Sequence, residues 1–231
     1  VVLLNNDTEV TEEDWLTKIV DLAEADERIG IVGPRLVYPD GSPQVSAYVI
    51  SPLGFLGYAP GAWTGRAVEV DGMMAAALLI RRGVIDRTGL LDEGYSPFLY
   101  EESDYSMRAK RAGFKVVYYP SVTVTHQLGF TMGRIDATRS LFVTYRNMAR
   151  FRLVNYPVLW IVPSILAMLL GAFVERKSAS LFVISNVTTR VGRAGTRILL
   201  MMRALIHNLK HLDEIVVLRI RNRALARGAE S

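Results

Sequence analysis

The sequence predicts a mixed α/β body followed by a helical region that is both basic and apolar. Strand-type apolar runs alternate with helical periodicity up to about residue 138, and beyond it apolar residues recur at helical spacing between arginines. The charge changes sign at the same point. Residues 1–138 carry 12 Lys/Arg and 19 Asp/Glu, a balance of −7, whereas residues 139–231 carry 15 and 4, a balance of +11. An acidic body joined to a cationic segment suggests a catalytic or binding unit that meets an anionic surface, lipid or nucleic acid. At 231 residues, 50% hydrophobic and 22% charged, the chain can bury a sizeable core and is not of disordered composition. It contains no cysteine, which excludes a disulfide scaffold, a thiolate zinc site, an iron–sulfur cluster and a cysteine nucleophile.

Val1-Val2-Leu3-Leu4 reads as a buried strand ending in Asn5-Asn6-Asp7, and so abrupt a start suggests a piece of something longer. Thr11-Glu12-Glu13-Asp14 reads as a helix start with Thr11 as its cap, Trp15, Ile19, Leu22 and Ala23 as its apolar face and Gly30 as its end. Ile31–Tyr38 reads as a strand, turned by Pro39-Asp40-Gly41 into a second extended piece near Val45–Ile50. Residues 51–66, rich in Gly and Pro, read as a mobile loop. Met73–Ile80 has the length of one buried strand, Gly83–Thr88 that of a short helix. Glu101–Ala112 reads as a helix closed by Gly113, with Asp104 and Arg108 four apart as a supporting pair. Lys115–Tyr119 and Val122–His126 read as two strands broken by Pro120.

The region 139–231 begins a different pattern. Tyr156–Val174 is a run of 19 residues without charge, near the lower end of the roughly 17–25 that a membrane helix needs. Arginines flank it, and Pro163 interrupts it, so spanning the bilayer and lying along it are both open. Residues 189–227 alternate basic and apolar side chains, the pattern of a membrane-surface helix. The competing reading is a buried helix, disfavoured because the tail offers it no evident apolar partner.

Three short stretches could carry chemistry. Asn5-Asn6-Asp7 follows a strand, where a carboxylate can hold a hard cation against phosphate oxygens, although Asn and Asp also cluster there simply as turn formers. Glu101, Glu102 and Asp104 offer a general base, although acids favour a first helical turn in any case. His126 ends a strand and could ligate a metal, although a lone histidine is more often structural. His207 and His211 lie four apart with no adjacent carboxylate and read as interfacial.

Taken in order, these stretches resemble the C-terminal half of a family 2 glycosyltransferase of GT-A fold, in its rhamnosyltransferase-like branch. Leu4-Asn5-Asn6-Asp7-Thr8 is similar to that family's DxD variant, Asp71–Arg82 to its acceptor-side strand, and Gly89-Leu90-Leu91-Asp92-Glu93 with Tyr100-Glu101-Glu102-Ser103-Asp104 to its later signature. Arg108, Gly113, Tyr118, Pro120, His126 and Arg146-Asn147 also fall in pattern, so the resemblance covers about residues 1–155. Three positions depart from it. Asn5 replaces the first Asp, Met74-Ala75 replaces a small pair, and Glu102 stands where the family has its aspartate base. None of Trp15, Trp63 or Trp160 follows an arginine, so the Q-x-x-R-W signature of processive synthases is missing and a single-addition transferase is the better match.

The resemblance implies a partial GT-A domain over residues 1–138, its nucleotide-binding first half lying before residue 1, and a helical membrane-associating region over 139–231. It implies inverting transfer from a nucleotide-diphosphate sugar to a hydroxyl of a glycan or lipid-linked acceptor, in cell-surface polysaccharide synthesis. Glu102 would be the base; Asp7 and His126 would hold Mg²⁺ or Mn²⁺; Asn5, Asp92 and Glu101 would contact donor or acceptor. It places the chain at the cytoplasmic face of the membrane, peripheral or single-pass, inactive without its first half. The alternative is a non-catalytic, membrane-associated assembly protein. Nucleic acid is set aside, because the tail's cations interleave with aliphatic residues and carry no aromatic stacking platform.

Overall fold

The computed structural model describes residues 1–59, 65–127, 136–173 and 194–229. Its body holds strands β1 (Val2–Leu4), β2 (Thr8–Glu9), β3 (Ile29–Val37), β4 (Ala47–Ile50), β5 (Leu56–Tyr58), β6 (Val68–Glu69), β7 (Gly72–Met73), β8 (Ala77–Ile80) and β9 (Lys115–His126). Helices α1 (Trp15–Glu24), α2 (Arg82–Thr88) and α3 (Glu101–Arg111) are interspersed, and α4 (Ala137–Asn155), α5 (Val158–Phe173), α6 (Ala194–Lys210) and α7 (Leu212–Ala229) follow.

The main sheet runs β1-β8-β3-β9-β2, with β6 also on β9, and β5-β4-β7 form a smaller sheet. Among the described residues only β3 and β9 pair in parallel; the other pairs are antiparallel. Side chains alternate across a strand, so neighbours on β3 serve opposite faces. Val32 packs with Ile19 and Ala23 of α1, whereas Ile31 packs with Tyr105 and Ala109 of α3. Fully burying a Val or Ile side chain such as Val32, Ile19 or Ile31 contributes about 1.5–3 kcal/mol, which fixes α1 and α3 on opposite sides of the sheet.

Several local expectations need correction. Gly30 does not close α1; it lies inside β3, where a Cβ would come within 2.6 Å of Phe114 and Val84. Helix α1 starts after Asp14, not Thr11. Strand β1 is an edge strand with Val1, Val2 and Leu4 exposed, not a buried one. Met73–Ile80 is divided between two sheets, with β7 on β4 and β8 between β1 and β3. Pro120 does not break β9: the pairing jumps from Pro34–Tyr119 to Arg35–Thr123, so an irregularity absorbs the proline. Part of the 51–66 loop is ordered as β5 against β4, while residues 60–64 lie outside the described residues.

The tail does have an apolar partner. Leu141, Tyr145, Met148, Ala149 and Phe151 of α4 pack with Tyr95 and Tyr100 of the body, Met168 of α5, and Leu200, Met201 and Ala204 of α6. The uncharged run forms a 16-residue helix with Pro163 inside it, and Val174 lies outside the described residues. Among the described residues no helix is long and apolar enough to cross a membrane. The outer face of α5 is nevertheless apolar and open, with Leu159 87%, Val162 65%, Leu166 52% and Leu170 66% exposed. The basic stretch is two helices, α6 and α7, rather than one, and its residues 189–193 lie outside the described residues.

The pairing of Asp104 with Arg108 is present and is buried. Arg108 Nε donates to Asp104 Oδ2 at 2.8 Å, with side-chain exposures of 3% and 2%. Asp104→Ala is expected to destabilise the chain by about 3–5 kcal/mol, because it strands a buried guanidinium. Asp104→Leu combined with Arg108→Met is expected to recover much of that loss in the same urea-unfolding series.

Candidate active site

The turn after β1 and the start of β2 set Asp7 beside the last residue of β9. Thr8 pairs with His126 across the β2–β9 ladder, and Asp7 Oδ1 comes within 3.4 Å of His126 Nε2. Gln44 fixes the other side of the ring. Its Nε2 donates to the carbonyls of His126 (2.5 Å) and Val37 (3.4 Å), which turns its Oε1 toward His126 Nδ1 at 3.0 Å. An amide oxygen accepts only, so Nδ1 must carry the proton and Nε2 presents a lone pair toward Asp7. Burial pushes His126 below its ordinary 6.5, against an upward pull from Asp7, and so favours the neutral ring. Two acceptors then face each other, an arrangement that a cation between them resolves.

This geometry fits a divalent metal: a carboxylate oxygen, a neutral imidazole nitrogen, and a second-sphere acceptor that fixes the tautomer. Among the described residues no third His, Cys, Asp or Glu joins the pair. A metal held here would therefore take its remaining ligands from elsewhere, such as substrate oxygens or water. Asn5 lies at the same turn, where its carbonyl accepts from the Thr8 amide and hydroxyl while its own amide donates to Ala76.

The second group of residues stands at the N-terminus of α3. Leu99 (φ 71°) and Tyr100 (φ 75°) both adopt the left-handed backbone that non-glycine residues avoid. Asn147 of α4 holds them there, its Nδ2 donating to the carbonyls of Tyr95 (2.6 Å), Phe98 (2.7 Å) and Leu99 (3.0 Å). The Tyr100 ring packs on Phe151 at 5.3 Å. Glu101 and Glu102 follow directly. Glu102 is buried, 6% exposed, and burial with the neighbouring Glu101 charge pushes its carboxyl up to about 8, although Ser103 and its own backbone amide pull it down. Burial also raises Glu101, whose Oε2 has no hydrogen-bond partner among the described residues.

The two groups share one piece of chain. Gln44 holds His126, and four residues later the Tyr48 hydroxyl meets Ser103 Oγ at 2.7 Å, next to Glu102. Four residues span at most about 14 Å, so the anchors of the cation-accepting pair and of the buried carboxyl are within one substrate's length. Asp92 is placed differently from a free substrate contact. It caps the turn Glu93–Tyr95 by accepting from Gly94 N, and it receives Arg150 Nε and Nη2 at 3.0 and 3.2 Å. Gln44, Tyr48, Ser103 and Asn147 complete the site. Of these Ser103 and Asn147 stood in recognisable motifs; Gln44 and Tyr48 sit in an unremarkable extended stretch, and nothing local in the sequence marks them.

Residues 1–151 match the family described as Glycosyltransferase like family 2. Among curated proteins, the uncharacterized protein y4gI of Sinorhizobium fredii is 31% identical over 162 residues, covering 66% of this chain and 17% of that protein. The O-antigen biosynthesis protein RfbC of Myxococcus xanthus is 26% identical over 54% of this chain and 11% of its own. The N-acetylglucosaminyl-diphospho-decaprenol L-rhamnosyltransferase of Mycobacterium tuberculosis is 30% identical over 52% of this chain and 44% of its own. The chain thus spans less than half the length of each of these relatives. The crystal structure of GalNAc-T7 with UDP, GalNAc and Mn²⁺ superposes on 91% of this chain and 40% of its own, with a TM-score of 0.52 at 14% identity, a likeness of fold.

The Glu102 carboxyl yields a test independent of turnover. The folded state keeps a proton that the unfolded state releases at the ordinary 4.5, so Glu102 makes stability fall as pH rises between 4.5 and about 8. Glu102→Gln, which mimics the protonated form, is expected to be more stable than the parent at pH above 8. The difference should close below about 4.5 in parallel chemical-denaturation curves.

Proposed function

The chain belongs to the family 2-like glycosyltransferases, and from that premise we propose that it carries the metal and base half of an inverting transferase. The transfer runs from a nucleotide-diphosphate sugar to a hydroxyl of a glycan or lipid-linked acceptor, as in the building of a cell-surface polysaccharide. The observation that carries this reading is the face-to-face pair of Asp7 Oδ1 and His126 Nε2, with Gln44 fixing the tautomer. Asp7 and His126 would hold Mg²⁺ or Mn²⁺, which when bound supplies Lewis-acid stabilisation of the departing diphosphate. That GalNAc-T7 was crystallised with UDP and Mn²⁺ supports this choice of metal. The Mycobacterium tuberculosis relative supports a rhamnosyl donor and a lipid-linked acceptor.

Glu102 takes the acceptor proton. Its raised carboxyl is a stronger proton acceptor than an ordinary carboxylate and ionises toward mildly alkaline pH, and such a group contributes roughly 10²–10⁴-fold to rate. Ser103 and Tyr48 orient it, and Asn147 sets the angle of the helix that presents it. Glu101, with an unpartnered buried oxygen, is available to an acceptor hydroxyl, and Asn5 lies beside the metal-side turn. Asp92 acts through Arg150 on the turn before Glu101.

The open edge of β1, with Val2 and Leu4 exposed, suits a further layer that completes a nucleotide-binding half. The tail lies on the anionic cytoplasmic face of the membrane as a peripheral layer. Its support is the exposed apolar stripes of α5 (Leu159, Val162, Leu166), α6 (Leu199, Met202, Ile206) and α7 (Val216, Val217, Ile220), beside exposed Arg203, Lys210, Arg223 and Arg227.

The test is release of nucleoside diphosphate from activated sugars by the protein that contains this chain, with and without EDTA. Turnover is expected to need Mg²⁺ or Mn²⁺, and Asp7→Asn is expected to raise the metal concentration needed for half-maximal turnover about tenfold or more. Glu102→Ala is expected to lower kcat by about 10²-fold or more, and the rate of the parent should rise with pH toward about 8. Metal-independent turnover unaffected by these changes would reject the assignment. A large gain from Glu102→Asp would favour the non-catalytic alternative, in which Glu102 marks lost chemistry.

A further inference from the structure

A cavity of about 470 Å³ opens where the C-terminal half of α3 meets the end of β4 and the junction of α4 with α5. Its walls are mostly apolar, with Ile50, Met107, Tyr156 and Pro157 among them, and its polar residues are Ser51, Asp71, Lys110, Arg111 and Asn155. The volume is that of a small-ligand site.

The polar groups favour an anion. Lys110 Nζ donates to Asp71 Oδ1 at 2.6 Å and to Val70 O at 3.3 Å, which leaves one of its three donors unassigned. Asp71 is itself occupied, its Oδ2 accepting from Ile50 N at 2.8 Å. Arg111 spends two of its five donors on Asn155, a neutral partner, at 2.5 and 2.6 Å. Burial disfavours the Arg111 charge most, and Arg219 and Arg108 add to that; Asp104, the carboxylate that supports it, is already held by Arg108 and Asn155. In the cavity wall itself two cations, Lys110 and Arg111, thus stand against one carboxylate, Asp71, which is already committed. The wall residues Tyr156 and Pro157 lead directly into α5, where the exposed stripe of Leu159, Val162, Leu166 and Leu170 begins.

We propose that this cavity is a headgroup site for an anionic glycerophospholipid, its phosphate held by Lys110 and Arg111 and its acyl chains lying along the α5 stripe. The proposal rests on the peripheral membrane reading above and deepens it. A phosphate pocket at the foot of an apolar stripe matches an amphiphile, whereas a soluble phosphate would have no use for the stripe. Lys110 lies eight residues beyond Glu102 on α3, or about 12 Å along the helix axis. A lipid bound there sets the base within reach of an acceptor embedded in the same leaflet.

The test is flotation of the 231-residue chain with phosphatidylcholine vesicles, with and without phosphatidylglycerol, and circular dichroism on each variant. The parent is expected to bind the phosphatidylglycerol vesicles preferentially. Arg111→Gln with Lys110→Gln is expected to weaken that binding tenfold or more. Met107→Trp, which fills the cavity and keeps both charges, is expected to do the same. Arg223→Gln on the exposed face of α7 should cost no more than about fivefold, the share of one surface cation. If Met107→Trp and the double variant bind like the parent while Leu159→Ser with Leu166→Ser abolishes binding, the headgroup site falls and the membrane reading stands. If the parent binds neither vesicle, both fall. Displacement of the lipid by inorganic phosphate at equal concentration would mark a free-anion site and overturn the lipid assignment.

Discussion

The buried carboxylate of Asp104 holds the body and the helical layer in one arrangement. It accepts from Arg108 Nε at 2.8 Å, from Asn155 Nδ2 at 2.7 Å and from the Tyr95 hydroxyl at 3.5 Å. Through Arg108 it reaches the carbonyls of Thr88, the last residue of α2, and of Leu90 beyond it; through Asn155, the end of α4 and Arg111. A charge this deep is tolerable only when its oxygens are saturated. The consequence is geometric: α2, α3, α4 and the 92–100 loop cannot shift independently, because each supplies or receives a bond at one shared node.

That rigidity is what permits the left-handed residues before α3. Consecutive non-glycine residues at positive φ cost of order 1–3 kcal/mol each, and here Asn147 and the Phe151 contact compensate for them. The result is a helix whose first turn begins at an angle that ordinary turn residues would not produce, with Glu102 turned into the interior beside Tyr48 and Ser103. Burial then does the electrostatic work: the carboxyl keeps its proton well above the usual carboxylate range because water is excluded and Glu101 is adjacent.

Much of the architecture was legible along the chain. The periodicity around Trp15–Ala23 and Glu101–Ala112, and the apolar run at Ile31–Tyr38, gave the right elements because local apolar spacing decides which side chains are buried. The failures lie where pairing is non-local. Met73–Ile80 looks like one strand, yet hydrogen bonds to β4 and to β1 and β3 divide it between two sheets. Pro120 signals a break, but an irregularity opposite Pro34 and Arg35 absorbs it. For the site, Asp7, His126 and Glu102 stand out by residue type and order. Gln44 and Tyr48 do not, because their importance comes from partners 82 and 55 residues away. The α5 face shows the same limit: its uncharged run is visible in sequence, but that half of it packs on α6 and the other half faces outward depends on residues more than thirty positions downstream.

Helix α3 joins these properties into one device. Its N-terminus carries the two glutamates, its middle the Asp104–Arg108 pair, and its C-terminus the two cations of the α4–α5 cavity. Acids at the first turn and bases at the last complement the helix dipole, so the polarity that stabilises the helix also separates carboxylate chemistry from anion attraction along one axis. A helix free to rotate would lose that separation. One clamped by Asp104 fixes both ends at once, so that whatever orients the cationic end also orients the glutamates.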